Sequence, residues 1–246
     1  VARYALAGPG PLLTQTILLT DRVHRALVEL SDGSAVFTGC DSSKRPLQGH
    51  RHAHIFCESN PRPGQQAGGE ITNISIYAPR GFDSGEEEAL QRLKEIYDDQ
   101  GASTGLVLLV LGQPAELGST SPLFARSRSW LSHTPFLPTR HPKATRAGVA
   151  KIDSTGFQIG CPEHELLRLL GLAGFPELEE MERVAYARLG EKEVPWDAFV
   201  RRREGDGRGP ANGKGYGFRI VFPEAVQGPV AVGYGGHFGM GGFEGE

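Results

Sequence analysis

His50, His52 and His54 are spaced by two. On an extended strand, residues two apart point to one face. Three imidazoles would then stand side by side, with Ala53, Ile55 and Cys57 on the opposite face. An imidazole titrates near neutrality, so it can take or give a proton under ordinary conditions. One such ring could deprotonate a ribose 2′-hydroxyl. The alkoxide would attack the adjacent phosphorus in line, leaving a 2′,3′-cyclic phosphate and a free 5′-hydroxyl. The nucleophile belongs to the substrate, so this chemistry needs no metal. Tyr77 is expected on the next strand, where it can orient one of the rings.

Two other readings of the cluster stay open. Imidazoles also bind metals, and His52-x-His54-x-x-x-Glu58 echoes the ligand motif of cupins. Cupins are made almost wholly of strands, and the helical periodicity at 21–30 and 85–97 does not fit them. In the remaining reading the histidines are structural and pair with a second domain.

A second cluster runs from Trp130 to Lys143, mixing His133, Phe136, Arg140 and His141 with three prolines. Aromatic rings can stack on bases while Arg and Lys meet phosphates; a proline-rich connector is the plainer reading. His141 is a further candidate acid or base. A third cluster is Gly233-Tyr-Gly-Gly-His237-Phe-Gly-Met-Gly-Gly-Phe243. Glycines let backbone amides approach phosphates closely. The spacing is neither that of a P-loop nor that of a Rossmann turn. Tyr234, Phe238, Met240 and Phe243 are interleaved with the glycines, which favours packing over a loose tail.

Charge is distributed unevenly. The net charge of −3 speaks against a polyanionic partner, yet no Asp or Glu occurs from Leu117 to Ile152. That stretch carries Arg126, Arg128, Arg140, Lys143, Arg146 and Lys151. A second basic stretch, Arg201 to Arg219, holds six cations against Glu204 and Asp206. Local basic surface matters more to RNA than the global sum. The apolar fraction of 39% is that of a folded globular chain rather than a disordered one. The longest apolar run, Leu106 to Leu111, is strand-sized, so no membrane span is expected. Cys40, Cys57 and Cys161 are odd in number and lack a C-x-x-C pair, which fits a reducing cytoplasm and no cysteine-built zinc site.

The elements that must position these residues follow from periodicity. Gln15–Leu19 reads as a strand, and Asp21–Leu30 as a helix ending at Asp32-Gly33. His52–Glu58 and Ile71–Ala78 read as strands. A helix opens at Ser84, with Ala89, Leu90, Leu93, Ile96 and Tyr97 on its apolar face. Gly105–Gly112 brackets a strand expected to be buried on both sides. Strand, helix, strand, strand, helix, strand is the ferredoxin-like, or RRM-like, unit, whose uncovered sheet face RNA binders commonly use. In the second half, Ala125–Pro138 reads as one long strand, and a helix starts at Pro162 with Leu166, Leu169, Leu170 and Ala173 inward. Glu179–Leu189 fits neither period, and Glu204–Gly215 reads as a Gly-rich loop. Tyr216–Phe222 reads as a strand ended by Pro223, and Val230–Tyr234 as the last strand. The expected fold is α+β, with two ferredoxin-like units in tandem. Residues 1–115 would form the first, and 116–246 a degenerate second unit with a glycine-rich loop.

Four ordered segments carry a family resemblance. They are Gly49-His-Arg-His-Ala-His54, Tyr77-Ala-Pro-Arg-Gly-Phe82, Thr134-Pro-Phe-Leu-Pro-Thr-Arg-His-Pro-Lys143, and Gly217-Phe-Arg-Ile-Val-Phe-Pro-Glu224 with the closing glycine-rich loop. Together they are similar to the Cas-six-like part of a type I-U (I-G) CRISPR protein of the RAMP superfamily. The resemblance implies cleavage of precursor CRISPR RNA within repeats, and retention of the product in a surveillance complex. It also implies a preceding Cas-five-like part, in keeping with a first residue, Val1, that is not Met, and other Cas subunits as partners. No cofactor and no membrane partner are implied. The candidate catalytic residues are His50, His52, His54 and Tyr77, with His24 on the first helix on no obvious active face. The candidate RNA-binding residues are Arg126, Arg128, Arg140, His141, Lys143, Gly235, His237 and Gly239. The alternatives are a non-catalytic RNA-binding subunit and a His-ligated metal enzyme.

Overall fold

A computed structural model describes residues 1–47, 52–59, 68–201 and 213–246. They form two compact units. The first comprises Val1–Glu116, Leu189–Lys192 and His237–Gly239; the second comprises Leu117–Arg188, Glu193–Gly236 and Met240–Glu246.

The opening strand of the first unit is β1 (Ala2–Leu6), not Gln15–Leu19. Ala2, Tyr4 and Leu6 alternate inward and are buried, and two Gly-Pro pairs (8–11) then break the strand. Gln15–Leu19 is a short apolar run that suits either element. Ile17 joins Val23 and Leu27 in one buried stripe, so this run becomes the start of α1 (Thr16–Leu30). Asp32 and Gly33 leave the helix with φ of 52° and 79°, and the Gly33 amide donates to the Val28 carbonyl. A four-residue α2 (Ala35–Thr38) follows, capped by the Ser34 hydroxyl.

The strands β2 (His54–Glu58) and β3 (Asn73–Tyr77) pair antiparallel, with His54 opposite Tyr77. Next comes α3 (Ser84–Arg92), which Asp83 and Glu86 close with a reciprocal capping box. The helix does not reach Tyr97. Glu95–Tyr97 turns back as β4 against β5 (Ser103–Leu111). The Asp98 carboxylate accepts the Gln100 and Ala102 amides in that hairpin, and Ile and Tyr are good strand residues. The sheet order is β2-β3-β1-β5-β4 with antiparallel neighbours. Without the short β4, this is the ferredoxin-like unit.

Helices cover one face of this sheet. Tyr4 on β1 donates its hydroxyl to the Leu90 carbonyl of α3, and Ile55, Cys57, Ile74 and Ile76 are buried. Two departures from expectation concern the other face. It is not open at its centre, where Phe56, Ser75 and Glu58 are buried and Arg3 pairs with Glu58 at 3.0 Å. The β5 strand is not buried on both sides, since Val107 and Leu109 are 52% and 51% exposed. A continuous apolar strand therefore did not require two covering layers.

In sequence, α4 (Pro114–Leu117) precedes the second unit's first strand, β6 (Arg126–Ser132). This strand ends well before Pro138; Pro135 and Pro138 carry no amide for a ladder. α5 (Pro162–Leu172) buries Leu166 and Leu170, while Ala173 lies beyond its end and is exposed. The ambiguous stretch resolves into β7 (Glu180–Val184) and β8 (Tyr186–Leu189), and β8 forms a ribbon with β9 (Lys192–Pro195). β10 (Gly217–Gln227) runs through Pro223, because its register with β6 shifts between Val221 and Val226. A proline is tolerated in such a bulge. β11 is only Val230–Ala231, and the true last strand is β12 (Gly242–Gly245), within the glycine-rich segment.

The second sheet has the order β11-β12-β6-β10-β7. Its members β12-β6-β10-β7 correspond to β5-β1-β3-β2 of the first unit, and α5 lies between β6 and β7 as α1 lies between β1 and β2. Where a second helix would fall, the chain has β11 and a 3-10 turn at Gly236–Phe238. The fold is thus α+β, with two ferredoxin-like units in tandem, the second short of one helix. Its core is aromatic: Trp130, Phe136, Phe218, Phe222 and Phe243 are all buried. Among the described residues, no helix is long and apolar enough to cross a membrane.

Candidate functional site

The first unit gathers three imidazoles. His54 opens β2 and His52 lies just before it; their ring centroids are 6.4 Å apart and nearly parallel. The ring of His237, far away in sequence, packs against both. Its centroid lies 3.2 Å from that of His52 and 4.0 Å from that of His54. All three rings are half-buried. His50 lies outside the described residues.

Local contacts hold His237 in place. Its Nδ1 is 3.2 Å from the Ala53 carbonyl. A carbonyl only accepts, so this contact is a hydrogen bond in the form of the ring that carries a proton on Nδ1. The next residue, Phe238, accepts the Thr20 hydroxyl on its carbonyl at 3.0 Å and meets the His24 ring edge-on at 5.2 Å. Gly239 has φ of 75°, and a Cβ there would lie 2.7 Å from the Ile55 carbonyl oxygen and 2.9 Å from the Thr16 methyl. Only glycine fits such an approach. Gly39 lies against the His52 ring, and its φ of 70° is what favours glycine there, since a Cβ would meet the ring at an ordinary contact distance of 3.4 Å.

Tyr77 lies across from His54 with ring centroids 6.3 Å apart, and Phe56 stacks with His54 at 5.9 Å. Burial pushes the Tyr77 phenol above its ordinary value, so its hydroxyl stays a donor. The same strand face continues into the buried Glu58, which accepts the Ser75 hydroxyl at 2.6 Å and the Arg3 guanidinium at 3.0 Å. Among the described residues, no group of three His, Cys, Asp or Glu side chains is placed to hold a metal ion.

The second unit carries the other predicted residues, and the structure does not gather them into one cluster. Residues 139–152 are all exposed, and Arg140, His141, Lys143, Arg146 and Lys151 occur there without an acid. The Arg140 Nε is 4.0 Å from the buried Glu165. Arg126 is exposed at the start of β6, whereas Arg128 is engaged by Glu179 at 2.7 Å and by the Phe222 carbonyl at 3.2 Å. Gly235 has φ of 73° and accepts the Met240 amide. His133 pairs with Glu244 at 2.5 Å. Burial alone would raise the Glu244 carboxyl, but the His133 charge and hydrogen bond prevail and hold it below the usual carboxylate value.

Sequence reasoning placed His52, His54 and Tyr77 together but assigned His237 to phosphate binding rather than to their cluster. It also missed Thr20, Gly39 and Phe238. The only signal in the sequence was the run of glycines interleaved with His237 and Phe238, which favoured packing over a loose tail.

The strand orders and the imidazole cluster define a class: paired ferredoxin-like units with a histidine site in the first. No protein-family model and no curated protein matches the chain. Several solved structures are similar to it, two of which follow. One is described as an RAMP protein binding different RNA substrates, with a TM-score of 0.43 and 10% identity, over 99% of this chain and 97% of that one. The other is a CRISPR associated protein Cas6, with a TM-score of 0.47 and 7% identity, over 100% of this chain and 97% of that one. At these values the fold assignment rests on the strand orders alone.

Proposed function

We propose that the chain is a metal-independent endoribonuclease that cuts precursor CRISPR RNA within its repeats. The observation that carries this reading is the packing of His237 against His52 and His54. It puts several rings able to move protons within one substrate's reach. One imidazole, His237 in the first instance, takes the 2′-hydroxyl proton. The new 2′-oxygen–phosphorus bond forms as the bond from phosphorus to the 5′-oxygen breaks. A second ring, in its protonated form, gives its proton to that 5′-oxygen. The products are a 2′,3′-cyclic phosphate and a 5′-hydroxyl. Tyr77, kept neutral by burial, donates to orient an imidazole or a phosphate oxygen. Arg126, Arg140, His141 and Lys143 hold the RNA backbone, and the charge of Arg140 and Lys143 favours the phosphate.

The resemblance of the four sequence segments to the Cas-six-like part of type I-U proteins supplies the substrate class. It also supplies the expected partners, a Cas-five-like part and other Cas subunits in the cytoplasm. A second reading, a subunit that binds the RNA and leaves it intact, draws on the half-burial of the rings and on the bond from His237 to Ala53.

The test is end-group analysis of repeat RNA incubated with the chain in excess chelator. A single cut whose 3′ end resists tailing until a cyclic phosphate is removed supports the nuclease. Products with a free 3′-hydroxyl and a 5′-phosphate contradict it, and intact RNA in a tight complex supports the second reading.

A further inference from the structure

A pocket of about 350 Å³ lies at the C-terminal end of β3, wholly within the first unit. Tyr77, Arg80, Phe82, Glu87 and Gln113 are among its lining residues. The volume is at the lower end of what small-molecule sites occupy, which suits one base rather than a stacked pair. The lining has what a base needs. Tyr77 and Phe82 offer aromatic faces, and Phe82 is braced by Phe37, stacked at 5.9 Å. Arg80 is an exposed donor and Glu87 an exposed acceptor, a pairing that can read a base edge with both kinds of group.

The pocket also adjoins the histidine site through a shared side chain. Tyr77 lines it and at the same time faces His54 across the strand pair, with centroids 6.3 Å apart. A nucleotide whose phosphate met the imidazoles would have its neighbour's base next to this opening. We infer that the pocket takes a single unpaired base of the RNA strand, stacked between Tyr77 and Phe82 and read by Arg80 and Glu87. The inference rests on the proposed RNA substrate but not on cleavage.

The probe is repeat RNA with 2′-fluoro sugars, which carries no nucleophile, made as a series with one base removed at a time. Affinity is measured by fluorescence anisotropy for the wild-type chain and for two variants. Gln113→Trp fills the pocket from an exposed position, and Phe82→Ala removes a stacking face; thermal melts verify that both fold. Base stacking of this kind predicts that one position loses about five- to 150-fold in affinity for the wild type. In both variants intact RNA should bind more weakly, and the same abasic position should cost little. A penalty at that position which persists undiminished in Gln113→Trp overturns the pocket, as does a series in which every position costs the same. If the wild-type chain binds none of these RNAs, the RNA reading fails and the pocket falls with it.

Discussion

His237 stacks on His52 with ring centroids 3.2 Å apart, which joins distant parts of the chain. A charged ring beside a neutral one is the arrangement that acid–base cleavage of RNA uses. The stack brings the His237 turn of the glycine-rich segment against the residues that open β2.

The seat of His237 depends on Gly239. An Ala there meets the Ile55 carbonyl oxygen and the Thr16 methyl, in a backbone conformation with φ of 75°. Gly239→Ala should cost about 1–3 kcal/mol in stability and should lower cleavage although no reacting group is removed. Chemical denaturation and single-turnover cleavage measure the two effects.

The exposed basic stretch should act through phosphates. Replacing Arg140 and Lys143 together by Ala should lower the slope of log affinity against log salt by about 1.4, at roughly 0.7 for each phosphate no longer neutralised on a single strand. Single-turnover cleavage at saturating RNA should fall less than affinity does. A salt titration by filter binding checks the first point.

Arg3 and Glu58 form a buried pair at 3.0 Å, with side chains 8% and 2% exposed. Removing one partner leaves the other charge buried, so Glu58→Met should cost about 3–5 kcal/mol. The double change with Arg3→Met should cost less than Glu58→Met alone. Urea denaturation of the two variants decides this.

Glu244 sets an acid-side dependence. Its carboxyl is held below its ordinary value of 4.5, against the opposing effect of burial, by the His133 charge and hydrogen bond. Such a group contributes stability above its unfolded value, and the contribution is lost as pH falls through the folded value. The stability lead of wild type over Glu244→Gln should therefore shrink between about pH 6 and about pH 3. Melting temperatures across that range report it.

Most of the first unit was legible because its signals are local. The capping residues around Ser84, the turn at Asp32-Gly33 and the alternation through Ile55, Cys57, Ile74 and Ile76 each decide an element within a few residues. β1 was missed because Ala2, Tyr4 and Leu6 make a short pattern, and Gln15–Leu19 offered a rival that only the whole helix stripe resolves. In the second unit, Pro223 looked like a stop because a bulge is a property of the pair of strands, not of one. β12 hid in a segment dominated by glycine, and its pairing with β6 comes from more than a hundred residues earlier. The site shows the same division. His52, His54 and Tyr77 follow from period-two spacing, whereas His237 joins them through a tertiary approach that no periodicity encodes.

The most direct test of the nuclease reading compares four chains on end-labelled repeat RNA in excess chelator: wild type, His52→Ala, His237→Ala and the double variant, each verified as folded. If the stacked rings act as one acid–base unit, each single change should slow cleavage by about 10²–10⁴-fold, and the double change should be no slower than the worse single one. Cleavage that proceeds at the wild-type rate in the folded double variant would contradict the account.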